Sequence, residues 1–167
     1  MWYVIQTFKG KEEKVLLDIR RRVTEDGEEV FIIENEKMFK HHGKWEPDRQ
    51  NLLPGYLFVE TKRPNEFNRE LRKLDRLSRL LRVDGKITPI HPEEEEFLRM
   101  IGGIDHVIHY SEGIMEGDRV IVESGALKGL EGMIKKKDRH NRQAVIGITL
   151  MGREIDVTLG LGIVRKI

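Results

Sequence analysis

Apolar positions along the chain change period several times, and each change marks an element. Residues 1–7 open with Trp2, Tyr3, Val4 and Ile5, aromatic and β-branched side chains that predict a strand. Lys9-Gly10-Lys11 breaks it. From Glu12 onward, Val15, Leu16, Ile19 and Val23 fall at helical spacing with charges between them. That spacing predicts a helix ending near Val23, with Asp26-Gly27 as the turn and Arg20-Arg21-Arg22 in its last turn, where cations favour the dipole. Residues 29–33 return to a β-branched strand. The polar stretch 34–51, with His41-His42-Gly43 ahead of Trp45, reads as a long hairpin with a mobile tip.

The stretch 52–60, Leu-Leu-Pro-Gly-Tyr-Leu-Phe-Val-Glu, organises the first half. Pro54 fixes φ and Gly55 is permissive, so the chain bends before a short buried strand. Leu57 and Val59 face one side of the sheet, Tyr56 and Phe58 the other. Two aromatics on one face mark either a core layer or a docking surface. Pro64 then precedes Phe67, Leu71 and Leu74, one face of a helix whose exterior is basic with Arg69, Arg72, Lys73 and Arg76. Leu77, Leu80, Leu81 and Val83 suggest a further strand closed by Asp84-Gly85. Pro92 and the four glutamates at 93–96 start a helix with acid at its positive end. The order predicts an α+β fold in which helices lie over an antiparallel sheet across residues 1–104.

Residues 105–114 read as a linker after Gly102-Gly103. Beyond it the pattern changes to short β-branched runs with Gly125, Gly129 and Gly132 at corners. Strands are predicted at 119–122, 133–137, 143–149, 154–159 and 162–166. Five short strands with glycine corners predict a small closed β barrel over 115–167.

Composition adds constraints. The 167 residues, 38% hydrophobic and 35% charged, suit two small cores better than one large one. No apolar run approaches the roughly 20 residues of a membrane span, and no leader is expected ahead of Trp2. The absence of cysteine removes disulfides, thiolate nucleophiles and Cys-based zinc sites. A cytoplasmic monomer is expected. The net charge of +1 conceals clusters, of which 135–142 holds five Lys/Arg against one Asp. His41-His42 and His106/His109 have no third ligand at metal spacing, and the glycines after Val122 precede no helix or Lys-Ser/Thr that would cradle phosphate. No constellation supports a small metal-dependent enzyme. A non-catalytic protein without cofactor or metal is expected.

Gly117-Asp118-Arg119-Val120 followed by Ser124-Gly125-Ala126-Leu127-Lys128-Gly129-Leu130-Glu131-Gly132 resembles a KOW motif. Trp2-Tyr3-Val4 and Pro54-Gly55-Tyr56 resemble the N-terminal (NGN) domain of NusG-type transcription elongation factors. The agreement covers nearly the whole chain and keeps the family's domain order. It implies an NGN domain at 1–104, a linker at 105–114 and an SH3-like KOW barrel at 115–167. In that family the N-terminal domain docks on the clamp helices of RNA polymerase through an apolar surface. The resemblance therefore places Tyr56, with Leu53 and Phe58 beside it, at a polymerase interface. Housekeeping members usually carry Phe where this chain has Leu53. They show Ile-Phe-Gly-Arg at the barrel hairpin that meets Rho or ribosomal protein S10. Here the matching residues are Leu150-Met151-Gly152-Arg153, so the partner contacts would be Leu150, Met151 and Arg153, without the aromatic. These departures look most like the specialised LoaP-type antiterminators, which a nucleic-acid element recruits to particular operons.

A site for that element follows from charge. Lys135, Lys136 and Lys137 end one strand, Asp138, Arg139, His140 and Asn141 make a turn, and Arg142 starts the next. Cations on both arms would release phosphate counterions, and Arg139 or Arg142 could reach a base edge. Paired A-form RNA hides its bases in a narrow major groove, so a structured leader with a bulge or loop is the expected target. The alternatives are a solvated basic turn, and a housekeeping factor that couples polymerase to Rho or the ribosome.

Overall fold

The computed structural model describes all 167 residues. The chain runs β1 (Trp2–Gln6), α1 (Glu12–Arg22), β2 (Glu29–Phe31), β3 (Glu34–His41), β4 (Lys44–Asn51), β5 (Tyr56–Glu60) and α2 (Pro64–Leu74). Three short strands follow, β6 (Arg79–Leu80), β7 (Arg82–Val83) and β8 (Lys86–Ile87), then α3 (Pro92–Gly102) and β9 (Val107–Ile108). The remainder is all strand: β10 (Ser111–Glu116), β11 (Arg119–Ser124), β12 (Ile134–Asp138), β13 (Gln143–Leu150) and β14 (Arg153–Lys166). Two compact units result, residues 1–33 with 53–96, and residues 34–52 with 97–167. No helix is long and apolar enough to cross a membrane.

The first unit is built on an antiparallel sheet in the order β2-β5-β1-β6. Strand alternation sorts its side chains as the sequence predicts. Tyr3, Ile5, Val30, Leu57 and Val59 form one buried cluster with Val15, Leu16 and Ile19 of α1 and Phe67 and Leu71 of α2. On the other face Trp2, Phe31 and Phe58 pack together, with Trp2 edge-on to Phe31 at 4.7 Å and Phe31 stacked on Phe58 at 5.8 Å between ring centroids. The buried Asn68 side chain accepts the Leu80 N–H at 2.9 Å, tying α2 to the edge strand β6. Ahead of α2, Arg63 donates to Glu28 at 2.8 Å, to Glu70 at 3.3 Å and to the Val23 carbonyl at 2.9 Å.

The second unit holds a five-stranded sheet in the order β11-β10-β14-β13-β12. Its core is aliphatic: Ile114, Val122, Leu127, Ile146, Ile148, Val157, Leu159 and Leu161 are all buried. Two expectations change here. The segment 105–114, read as a linker, contains β9 and the start of β10; β9 pairs parallel with β3, and β10 pairs with β11 and β14. Its apolar runs are too short to show a period. The strands expected at 154–159 and 162–166 are one continuous strand, β14, whose first part pairs with β13 and whose last part pairs with β10. Gly160 and Gly162 lie where the strand changes neighbours, and glycine there lets it bend without ending.

The β3–β4 hairpin belongs to this second unit. Its ladder is complete from Glu34↔Asn51 to His41↔Lys44. His42 and Gly43 close it with φ of 50° and 80°, the two positive values of a type I′ turn. The tip is thus a tight continuation of the ladder, not the loose end that its polar sequence suggests. Pro47 sits on β4, the outer strand, where a missing N–H costs little. Buried Asn35 donates from Nδ2 to the Thr158 carbonyl at 2.8 Å and ties β3 to β14.

Candidate nucleic-acid interface

The turn between β12 and β13 is shaped by its own polar residues. Asp138 accepts the Asn141 backbone N–H at 3.1 Å and the Asn141 side-chain amide at 2.7 Å, an arrangement that Asp and Asn favour in turns. The amide bonds from Asn141 hold the Asp138 carboxyl below its ordinary value. Arg142 then takes φ of 53°, a left-handed conformation that non-glycine residues seldom adopt. Its N–H reaches the Arg139 carbonyl at 3.3 Å, and its own carbonyl accepts the Leu161 N–H at 2.9 Å. Fixed in this way, Arg142 lays its guanidinium over the Trp45 ring, 4.4 Å from the centroid, a cation–π stack.

The expected seven-residue prong divides. Lys135 is engaged on the sheet, ion-paired with Glu154 and with Asp156 at 2.8 Å, and these bonds raise its pKa, Asp156 contributing most. Lys137 donates to the Asp118 carbonyl at 2.7 Å. Lys136, between them on β12, is exposed. Arg139, His140, Asn141 and Arg142 line one cleft of ≈ 620 Å³ together with Lys40, Trp45, Tyr110 and Glu112. Lys40, Trp45 and Tyr110 are the residues that sequence reasoning missed. Trp45 stands in the stretch read as a hairpin with a mobile tip, and Tyr110 in the one read as a linker. Aromatic residues within otherwise polar segments were the only signal.

Tyr110 is seated by glycines. A Cβ on Gly160 would lie 2.5 Å from the Tyr110 ring and 2.7 Å from the Glu36 carbonyl, and one on Gly162 would collide with the Tyr110 hydroxyl. Only a bare backbone lets the ring lie along β14. Burial pushes the Tyr110 phenol pKa up, while the neighbouring Arg142 pulls against that shift and Glu112 adds to it.

The Pro-Gly segment of the first unit is a built turn. The Tyr56 N–H donates to the Leu53 carbonyl at 3.1 Å, with Pro54 and Gly55 between them and Gly55 at φ 90°, as a type II turn requires. The Gly55 N–H reaches the Glu12 carboxylate at 3.1 Å, and the Gly55 carbonyl accepts the Thr7 N–H at 2.8 Å. Of the three residues expected at a polymerase surface, Tyr56 is half-buried and Leu53 is buried. Phe58 is fully buried, packed with Phe31 and Trp2. Phe58 is therefore corrected from a contact residue to a core residue that supports the face carrying Tyr56.

At the β13–β14 tip, Leu150 pairs with Arg153 across Met151 and Gly152, whose φ values of 54° and 78° again make a type I′ turn. Leu150 is buried, Met151 half-buried and Arg153 exposed. Of the three residues expected as partner contacts, Arg153 is the most accessible.

Comparison with known proteins gives a consistent result. Residues 1–99 match the family model described as NusG, transcription termination factor nusG. The chain is 26% identical to the transcription termination/antitermination protein NusG of Thermus thermophilus, over 99% of this chain and 97% of that one. It is 26% identical to the protein of the same name from Borreliella burgdorferi, over 99% and 98%. Among solved structures, Thermotoga maritima NusG aligns over 95% of this chain and 92% of its own with a TM-score of 0.57. At 22% identity that likeness speaks to fold.

Proposed function

The chain belongs to the NusG family, and from that premise we propose that it is a transcription termination/antitermination factor that acts by binding and not by catalysis. Its N-terminal domain, residues 1–104, rides RNA polymerase, and an SH3-like KOW barrel at 115–167 holds nascent RNA together with the β3–β4 hairpin, which supplies Lys40 and Trp45 and belongs to the same compact unit. The names of relatives aligned along nearly the whole chain support the transcription assignment. The observation that carries the RNA half is the convergence of Lys40, Arg139 and Arg142 with Trp45 and Tyr110 in one cleft. Cations and aromatic rings together are what a single-stranded polynucleotide needs: charge for its phosphates and faces for its bases.

For polymerase, the docking point is the Leu53–Tyr56 turn with Tyr56 as its aromatic. A tight turn, hydrogen-bonded to Glu12 and Thr7, presents that side chain without further ordering cost. Bridging the polymerase cleft from there disfavours pausing, and tethering the second unit raises its effective concentration at emerging RNA. Specialised, LoaP-type antitermination is favoured over coupling to Rho or the ribosome. The reason is the β13–β14 tip, where Leu150 is buried and Met151 stands in place of an aromatic.

The test is recovery of RNA with the purified protein from its own cells, sequenced after moderate-salt and high-salt washes. One enriched leader hairpin that survives high salt supports a specialised antiterminator. Diffuse, salt-labile recovery of many transcripts supports the housekeeping reading.

A further inference from the structure

From the Trp45–Arg142 stack we infer that the cleft between the β3–β4 hairpin and the 138–142 turn is a pocket for one unpaired nucleotide, with Trp45 as the platform for its base. This deepens the RNA reading of the same basic turn and rests on it. It adds residues that lie far from that turn in sequence, and it specifies an extruded base where charge alone specifies only phosphate.

Four observations converge. First, Trp45 is half-buried, with Arg142 held over its ring at 4.4 Å. Guanidinium and nucleobase are both flat groups that stack on aromatic faces, so Arg142 occupies a place that a base fits. Second, Arg142 is kept there by a left-handed backbone, φ 53°, that costs energy at a non-glycine residue and that glycine or asparagine would adopt more readily. Third, the cleft has the volume of a small-molecule site, ≈ 620 Å³ against the roughly 300–1,000 Å³ usual for such pockets. Fourth, its wall is graded. Lys40 and Arg139 supply positive charge for a phosphate, Tyr110 supplies a second ring, and the Glu112 carboxylate can accept an exocyclic amino group of cytosine or adenine.

In the loaded state the base lies on Trp45, Arg142 swings from the ring to the adjoining phosphate, and the arginine that fills the empty site becomes part of the charge that holds the full one. A base inside a continuous helix cannot reach this platform. Duplex RNA is therefore excluded from the pocket, and a bulge or loop nucleotide is admitted. Without the pocket, Arg142 on Trp45 is a staple holding the hairpin to the sheet.

Tryptophan fluorescence of the full-length protein separates the two. Of the two tryptophans, Trp2 is 1% exposed and beyond reach of a ligand, so a change in emission on adding RNA reports Trp45. A short single-stranded RNA should quench that emission saturably, and a fully paired RNA of the same composition should not. Trp45→Ala should weaken single-strand binding by about five- to a hundred-fold, the usual loss of one stacked base, while Trp45→Phe should stay near wild type. Binding of single-stranded RNA without any quenching overturns the pocket; the quenching readout needs no variant and holds even if Trp45→Ala unfolds. Equal affinity in a folded Trp45→Ala protein overturns it too. If RNA binding is lost on neutralising Arg139 and Lys136 but is indifferent to Trp45, the pocket fails and the basic turn stands. If no RNA binds at all, both readings fall.

Discussion

Removing the Arg139 charge should change how RNA binding depends on salt, by an amount the structure sets. Of the cations in the β12–β13 hairpin, Lys135 is held by Glu154 and Asp156 and Lys137 by the Asp118 carbonyl. That leaves Lys136, Arg139 and Arg142, joined across the cleft by Lys40, as the groups free to replace counterions. Four phosphate contacts on a single strand predict a slope of log K against log salt of about −2.8, so a fourfold rise in salt weakens binding roughly fifty-fold. Arg139→Gln should reduce the slope to about −2.1 and that loss to roughly twenty-fold. Lys135→Gln should leave the slope at the wild-type value, because its ammonium is already committed to carboxylates. Filter binding or anisotropy across a salt series measures both. An unchanged slope in Arg139→Gln, or an equal change in Lys135→Gln, would refute the division of the cations made from the structure.

Two further outcomes concern stability. Met151→Asn should raise the unfolding free energy by roughly 1 kcal/mol, since asparagine tolerates the left-handed φ of 54° that methionine occupies at a strained turn position; a thermal or urea melt that shows no gain contradicts the turn assignment. Burial alone would raise the Glu28 carboxyl, but hydrogen bonds from Arg63 and Thr61 outweigh it and hold the group below its ordinary value of 4.5. A depressed carboxylate stabilises the fold above the ordinary value, and that contribution is lost as pH falls through the lower folded value. Wild type should therefore lose melting temperature more steeply than Glu28→Gln below about pH 4.5, and parallel curves would count against the Arg63 cluster.

Much of the first unit was legible because its signals are periodic and local. Val15, Leu16 and Ile19 announce α1, and Phe67 and Leu71 announce α2. The alternation of Tyr56, Leu57, Phe58 and Val59 assigns faces correctly. Alternation does not say what fills a face, and so Phe58 was placed on a surface when Trp2 and Phe31 enclose it. In the second unit the missing information is pairing. Lys135 looks free until Glu154 and Asp156 come beside it from β14, across one intervening strand. Val107-Ile108 carries too few residues to show a period, yet it completes a sheet with β3. The cleft was the least legible feature. Trp45 and Arg142 meet only because β3–β4 packs on β14, and that packing depends on glycines at 160 and 162 whose role appears once Tyr110 lies against them.

The central claim is that this chain works while bound to RNA polymerase through the Leu53–Tyr56 turn. The most direct measurement is recovery of polymerase with the tagged protein from its own cells, wild type against Tyr56→Ala, with a melting curve to show that the variant is folded. The account predicts stoichiometric polymerase with wild type and at least a ten-fold loss with Tyr56→Ala, the scale of a single aromatic hot spot costing ~2 kcal/mol. Equal recovery with a folded Tyr56→Ala protein would contradict it.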